Sequence, residues 1–342
     1  MTVRPYRRVL MLAALPALAL WGAAGSALAQ EAHSLLNVSY DVSRELYKQI
    51  NPAFAEAWKA KTGQAITINQ SHGGSSKQVG AVIGGLEADV VTMNQATDID
   101  MLASKGLTAA DWRKRFPHEA APYSSTILFL VRKGNPKNIR DWADLARPGL
   151  AVIMPNPKVT GNGRYSYLAA WGSVRAKGGT DAQARELVSK IMANVPVLDG
   201  GGRGATTTFT QRGIGDVLLT FESEAELIET EFGKGQFEVV APTISIDADA
   251  PVALNDKVLA KRGTAAVARA YLDFLYTPQA QDIIARNNFR PRDPAVFKRH
   301  EKRFAPIQLF SVEQQLGPWS QVYKTHFADG GSYDQVMAGI KR

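Results

Sequence analysis

Residues 65–93, AITINQSHGGSSKQVGAVIGGLEADVVTM, decide the fold. Ala65 to Asn69 reads as a strand, and Ser71-His72-Gly73-Gly74-Ser75-Ser76 is a run of small polar residues that opens a helix. The helix ends near Gly85, and Val90 to Met93 is a second short apolar strand. A strand, a helix and a strand in so short a span form a βαβ unit, whose natural architecture is a parallel sheet with helices on both faces. The class is therefore α/β.

The same rhythm extends outwards in both directions. Leu35 to Tyr40 reads as a strand, and Leu46, Ile50, Phe54 and Trp58 follow at steps of four, one face of a helix that Pro52 is expected to kink or restart. In the middle third a strand at 150–154, a loop at 155–163, helices at 165–177 and 182–193, and a strand at 195–198 are expected. A glycine-rich turn at 199–204 then opens a short helix before a strand at 216–221. Residues 125–131, and residues 237–254 with their breaks at Pro242 and Pro251, read as long strands linking two lobes. Val267, Tyr271, Phe274 and Leu275 mark a helix expected to pack on the first lobe. The expected division is residues 30–124 with 247–342 in lobe I and residues 125–246 in lobe II.

Composition narrows the function. The chain has 342 residues, 45% of them hydrophobic and 21% charged, which excludes disorder, and at this length a single core has usually split in two. Without cysteine there is no thiol nucleophile, thiolate metal site or disulfide. His33, His72, His118, His300 and His326 are scattered, so no metal site is expected. Residues 1–29 read as a secretory signal peptide: Arg4, Arg7 and Arg8 precede an apolar run from Val9 to Trp21, and Ala27-Leu28-Ala29 ends it. Thirteen apolar residues are too few to span a bilayer, which needs about 20. Arg7-Arg8 leaves the general and twin-arginine export routes both open. Removing the leader takes three arginines and no acid, so the formal charge falls from +8 to +5. With no basic stripe, no nucleic-acid partner is expected.

Three glycine-rich turns stand where a strand ends and a helix begins: 71–76, Lys158-Val159-Thr160-Gly161-Asn162-Gly163, and Asp199-Gly200-Gly201-Gly202-Arg203-Gly204-Ala205-Thr206. Each presents unpaired backbone N–H groups and the positive end of a helix dipole, while glycine lets the backbone approach a ligand. Ser75 and Thr160 can add hydroxyl donors. One such turn is ordinary in an α/β protein; three without a catalytic set point to anion capture. Enzyme readings compete for the same residues. His72-Gly73-Gly74 is shaped like an esterase oxyanion turn, but no Gly-x-Ser-x-Gly elbow supplies a nucleophile. Gly200-x-Gly202-x-x-Ala205, with Glu222 placed to meet a ribose, fits a dinucleotide fingerprint, so an exported dinucleotide-dependent enzyme is the rival of another class. Trp58, Trp142 and Trp171 read as core, Asp89 and Asp216 as turn formers. Glu222, Glu224, Glu226, Glu229 and Glu231 read as a solvated helix face.

At these turns the chain resembles a known family. NVSYDVSREL (37–46), QSHGGSSKQ (70–78), FLVRKGNPK (129–137), YLAAWG (167–172) and RGIGDVL (212–218) resemble the periplasmic sulfate- and thiosulfate-binding proteins of bacterial ABC importers. The likeness runs over essentially the whole mature chain. It implies a two-lobed periplasmic binding protein of type II, each lobe a mostly parallel sheet flanked by helices and the two joined by crossover strands. It further implies a monomer that uses no cofactor, is not an enzyme, and delivers its ligand to a membrane permease with a cytoplasmic ATPase.

Carried over by position, the ligand donors are the backbone N–H groups of Asp41 and Ser75 in the first lobe. In the second they are Thr160, where the family often has serine, then Gly161, Asn162 in place of a glycine, and Gly202 in place of an alanine. Phe221 stands where sulfate binders supply a tryptophan indole N–H, and it donates nothing. Phe221, Asp41-Val42-Ser43-Arg44 and Val90-Val91-Thr92-Met93-Asn94-Gln95 are closer to the thiosulfate branch. An apolar wall suits thiosulfate, in which a large, weakly accepting sulfur replaces one oxygen. Molybdate and phosphate are the alternative tetrahedral oxyanions. The Asp41 carboxylate is expected to turn away from the ligand and cap the helix that follows it.

Overall fold

β1 (Ser34–Tyr40) and β2 (Thr67–Gly73) pair in parallel over seven residues, and β3 (Val90–Thr92) lies parallel on the other flank of β1. Helix Arg44–Thr62 joins β1 to β2 and helix Ser75–Ile83 joins β2 to β3. The structure, a computed structural model, describes residues 1–2, 34–232 and 235–340, so the signal segment read at 1–29 lies outside the described residues beyond Met1 and Thr2.

Helix Arg44–Thr62 buries Leu46, Ile50 and Phe54 at the expected steps of four and ends on Gly63, whose φ of 77° forms a left-handed cap. It runs through Pro52 without the expected restart. Pro52 is exposed, so the Lys48 carbonyl that loses its helical partner is left to water. β2 is longer than its sequence suggests: Ser71, His72 and Gly73 extend the ladder opposite Val38, Ser39 and Tyr40. Pairing with the buried end of β1 outweighs their weak strand preference. The turn shrinks to Gly74.

From β3 the chain passes through helix Ala96–Ser104 to β4 (Tyr123–Ser125) and then β5 (Ile127–Arg132). β5 belongs to a second sheet with β6 (Val152–Pro155), β7 (Leu198–Asp199), β8 (Val217–Phe221) and β9 (Phe237–Val240), in the order β7-β6-β8-β5-β9. β6 pairs in parallel with β7 and β8; β5 runs antiparallel to β8 and β9. Helices Gly161–Arg175, Gly202–Thr210 and Glu222–Leu227 follow β6, β7 and β8 respectively.

The return strand is broken where its prolines remove an N–H from the ladder. It forms β10 (Ile244–Ile246), β11 (Ala248–Asp249) and β12 (Val252–Leu254), with Pro242 before β10 and Pro251 before β12. β12 pairs antiparallel with β3 and completes the first sheet, β12-β3-β1-β2. β11 pairs antiparallel with β4, so the outgoing and returning connections between the sheets run side by side; β13 (Arg290–Pro291) flanks β4 opposite. Helix Ala265–Phe274 packs on the first sheet's helix: Phe54 meets Tyr271 and Phe274 edge-on, with ring centroids 5.1 and 5.7 Å apart.

The second region is organised around one buried helix. Helix Gly161–Arg175 is buried continuously from Gly161 to Ser173. The C-terminal residues help to cover it: β14 (Gln308–Phe310) pairs with β10, the Phe310 ring leaves no room for a Cβ at Gly172, and Trp319 meets Tyr165 at 5.6 Å. Among the described residues no helix is long and apolar enough to cross a membrane.

Candidate ligand-binding site

The first sheet and the second sheet bring the turns at their strand ends together. The turn after β2 meets the turn after β6: the Gly161 N–H donates to Ser75 Oγ at 2.9 Å. The turn after β1 meets the helix after β7, where the Arg203 N–H donates to Asp41 Oδ2 at 3.2 Å. Contact this close explains the glycines. A Cβ at Gly74 would lie 2.8 Å from the Gly200 carbonyl oxygen, one at Gly161 2.0 Å from Asn94 Oδ1, and one at Gly202 2.9 Å from Val42 Cγ1. At Gly74 the facing backbone leaves no room for a Cβ, while at Gly161 and Gly202 the Asn94 and Val42 side chains would have to shift.

The helix termini are ordered by local rules. Helix Gly161–Arg175 starts earlier than its sequence suggests, because the Thr160 side chain caps it: Oγ1 accepts from the Gly163 N–H at 3.0 Å and donates to the Asn156 carbonyl at 2.8 Å. Ser75, Asn162 and Gly202 lie in first turns, where the helix supplies no carbonyl for their N–H groups. Asn162 Nδ2 donates to Thr220 Oγ1 at 3.3 Å, and that nitrogen lies 3.3 Å from where a Gly202 Cβ would stand. Phe221, at the end of β8, is buried edge-on between Tyr40 at 6.4 Å and Tyr165 at 6.0 Å. Asp41, Ser75, Thr160, Gly161, Asn162, Gly202 and Phe221 therefore gather at one place. Among the described residues no group of three or more acidic or imidazole side chains is placed to hold a metal ion.

The Asp41 carboxylate does turn to a helix, but not to its own. Residues 41–43 form a 3₁₀ turn, and helix Arg44–Thr62 has no side-chain cap. The unsatisfied donor within reach is Arg203 N–H, in the first turn of helix Gly202–Thr210 across the contact, so the carboxylate caps that terminus.

Two charged groups escaped the sequence reading. Arg164, 3% exposed, forks from helix Gly161–Arg175 to the first region: Nη1 donates to Gln95 Oε1 at 2.8 Å and Asp98 Oδ1 at 3.3 Å, and Nη2 to Ser76 Oγ at 2.8 Å. Burial pushes the Asp98 carboxyl up, and Arg164 opposes the rise. The available signal was that Arg164 is the sole charged residue between Lys158 and Arg175. Arg203 reaches Glu45 at 2.6 Å and Glu224 at 3.1 Å.

Two members of the acidic cluster depart from the solvated face expected of them. Glu222 and Glu224 are buried, because helix Glu222–Leu227 starts at the inner end of β8 and turns its first residues inwards. Glu222 accepts from Arg290 Nε at 2.6 Å, Arg290 Nη2 at 2.8 Å and the Ala305 N–H at 2.9 Å. Committed in this way it cannot meet a ribose, which removes the dinucleotide reading. Glu224 accepts from Thr206 Oγ1 at 2.7 Å, and burial raises its carboxyl to about 7 against the pull of Arg203. Asp89 is also fully buried, accepting from the Leu36 N–H and Thr264 Oγ1 and pairing with Arg262.

Two sheets that bring helix N-termini together around shared donors make a protein that holds a small ligand, and residues 36–290 match the family described as bacterial extracellular solute-binding protein. The chain belongs to that family, whose members bind solutes and are not enzymes. Over 320 residues it is 55% identical to a thiosulfate-binding protein of Pseudomonas aeruginosa, covering 92% of this chain and 96% of that one. Over 315 residues it is 51% identical to a sulfate-binding protein of Escherichia coli, covering 92% and 95%. Among solved structures it is similar to a sulfate-binding protein from Mycobacterium tuberculosis, with a TM-score of 0.78 at 33% identity over 86% of this chain and 99% of that chain. The resemblance read from the five sequence strings is borne out.

Proposed function

We propose that this chain is the periplasmic binding component of an ABC importer and captures one thiosulfate or sulfate dianion. The anion lies between two lobes, residues 30–124 with 247–342 and residues 125–246. The observation that carries this reading is the meeting of Ser75 with Gly161, two helix N-termini from different sheets brought within one hydrogen bond. The Thr160 hydroxyl, whose proton goes to the Asn156 carbonyl, orders its turn. Backbone N–H groups of Asp41, Ser75, Asn162 and Gly202, with the Ser75 hydroxyl, donate to the oxygens, and the Gly161 N–H joins them by exchanging Ser75 Oγ for the anion. Such charge-assisted bonds dominate over the helix dipoles, each worth roughly 0.3–1 kcal/mol.

Selectivity follows from the lack of an acceptor. Phosphate near neutrality carries a proton that needs one, and leaving it unpaired costs about 1–3 kcal/mol. The two carboxylates beside these donors are engaged elsewhere, Asp41 by the Arg203 N–H and Asp98 by Arg164, which supports a donor-only site. The relatives' names point to the same two anions. Donors from both lobes make the closed form the better binder, and the permease with its ATPase would receive that form. Calorimetric titration of the mature protein with thiosulfate, sulfate, molybdate and phosphate tests the reading. One-to-one binding of thiosulfate or sulfate, recovered chemically unchanged, is expected; preference for phosphate, or turnover of the anion, would overturn it.

A further inference from the structure

Two of the strings quoted from the sequence, FLVRKGNPK (129–137) and RGIGDVL (212–218), meet at the end of helix Gly202–Thr210 that lies away from the ligand turns. Arg132 joins them. It ends β5 opposite Phe237 of β9, and its guanidinium lies over the Phe209 ring at 3.9 Å and the Phe237 ring at 5.6 Å. Nε and Nη2 donate to the Gly215 carbonyl at 3.1 and 2.9 Å, and Nη2 also to the carbonyls of Phe209 at 3.1 Å and Ile214 at 3.3 Å. These acceptors are all main-chain, on the last turn of the helix and the loop that leaves it. The first turn is held less firmly. Gly201 supplies no side-chain cap, a Cβ at Gly200 would meet nothing within 4 Å, and the Asp41 and Glu45 carboxylates that reach Arg203 come from the first region. Thr206 and Thr208 tie the flanks to Glu224 and Asp199, at 2.7 and 3.2 Å. Ala205 and Phe209 pack in a small apolar cluster with Leu130, Ile153 and Phe237, and such packing is non-directional. Within the second region, Arg132 makes the largest set of directed bonds from outside to this helix and its exit loop.

We propose that Arg132 is a positioning residue for anion capture: by gripping the last turn of helix Gly202–Thr210 it sets where the N–H groups of the first turn stand. The inference rests on the oxyanion reading above. A helix of nine residues is about 12 Å long and stiff, so a shift of its last turn is carried to Gly202. Hydrogen bonds weaken steeply once the donor leaves alignment, so a small shift there costs affinity at the anion. The planar guanidinium fork reaches three carbonyls at once and stacks on a ring, which fixes both the height and the tilt of the helix end. Lysine keeps the charge and loses the fork. A cation at a helix C-terminus also favours the dipole, and lysine supplies that as well as arginine does. The two side chains therefore separate positioning from charge.

The test combines calorimetry and amide NMR of the ¹⁵N-labelled mature protein, on wild type, Arg132→Lys and Arg132→Gln, with melting curves to check folding. The probe is whichever of sodium thiosulfate and sodium sulfate the wild type binds more tightly. Both variants should bind it about tenfold more weakly, the size of one impaired hydrogen bond to a charged group. At saturation the anion-induced shift of the Gly202 amide should differ from wild type, while those of Ser75 and Asn162 keep their size. A merely structural role would not produce that local pattern. Wild-type affinity in Arg132→Lys, or shifts at Gly202, Ser75 and Asn162 that shrink alike, would overturn the inference and leave the oxyanion reading standing. Should neither variant fold, Phe209→Leu removes the ring under the guanidinium and keeps the cluster apolar. It should then bind more weakly with the same local pattern at Gly202, and unchanged affinity and shifts there would overturn the inference. A wild type that binds neither anion would overturn the oxyanion reading, and the inference with it.

Discussion

Arg164 and Arg203 do the same thing in two different media. Each stands in the first turns of a helix that follows a strand of the second sheet, and each reaches an acid of the first region. The Arg164–Asp98 pair is 3% and 2% exposed, whereas Arg203 is 27% and Glu45 33% exposed. A cation at the start of a helix opposes the helix dipole, so neither position is favourable by itself. What differs is whether water can replace the partner. The dry pair carries the heavier energetic consequence, because breaking it strands a charge in a medium that cannot solvate it. The Arg203–Glu45 contact can open at little cost, because water replaces each partner.

The largest effect that would sharpen this contrast is Arg164→Ala, which should lower unfolding free energy by about 3–5 kcal/mol in urea titration. Asp98, freed from Arg164, should take up a proton, and Arg164→Lys should rescue little, since a point charge cannot fork to Gln95, Asp98 and Ser76. A loss below about 1 kcal/mol would erase the distinction between the two arginines.

Next in size is a pH effect at Glu224, the buried second partner of Arg203. The Glu224 carboxyl titrates at about 7 in the fold, above its ordinary value of 4.5, so the folded chain holds a proton that the unfolded chain has lost between those values. Its contribution is present in full below about 4.5 and disappears as pH rises through about 7. The urea midpoint should therefore drop from pH 5 to pH 7.5, and Glu224→Gln should remove that part of the drop. A slope unchanged in the variant would mean that Glu224 is ionised throughout.

Arg203→Ala removes the half-exposed pair with Glu45 and also the partner of buried Glu224. The variant should cost more than the roughly 1 kcal/mol of an exposed pair but less than Arg164→Ala, with only the Glu45 part fading in salt. It should also move the Glu224 titration, followed by carboxyl NMR, further above 7, because the pull that opposes burial is gone. The smallest effect is expected of Asp41→Asn. Its amide oxygen can still cap the Arg203 N–H, so thiosulfate affinity should stay within a few-fold, while Asp41→Ala loses the cap at about 1 kcal/mol.

The same contrast of wet and dry marks what was legible in the sequence. Helix Arg44–Thr62 has one face in water, and its apolar residues at steps of four announce it. Helix Gly161–Arg175 is buried on all sides up to Ser173, so it has no polar face to set a period, and its true start at Gly161 was hidden behind glycines that read as loop. The turns could be found because glycine and hydroxyl residues after apolar strands have a local meaning. Their partners could not, since Ser75 on Gly161 and Asp41 on Arg203 are contacts 86 and 162 residues apart. Glu222 was misread for the same reason: only the fold brings Arg290 to it, and without that cation a run of glutamates reads as solvated.

In the proposed function, backbone donors from both sheets share one anion. Amide NMR of the deuterated, ¹⁵N-labelled mature protein, titrated with thiosulfate, tests it most directly. The amides of Asp41, Ser75, Gly161, Asn162 and Gly202 should move downfield together and saturate at one equivalent. Shifts confined to the turns of one sheet, or saturation beyond one equivalent, would contradict a site shared between them.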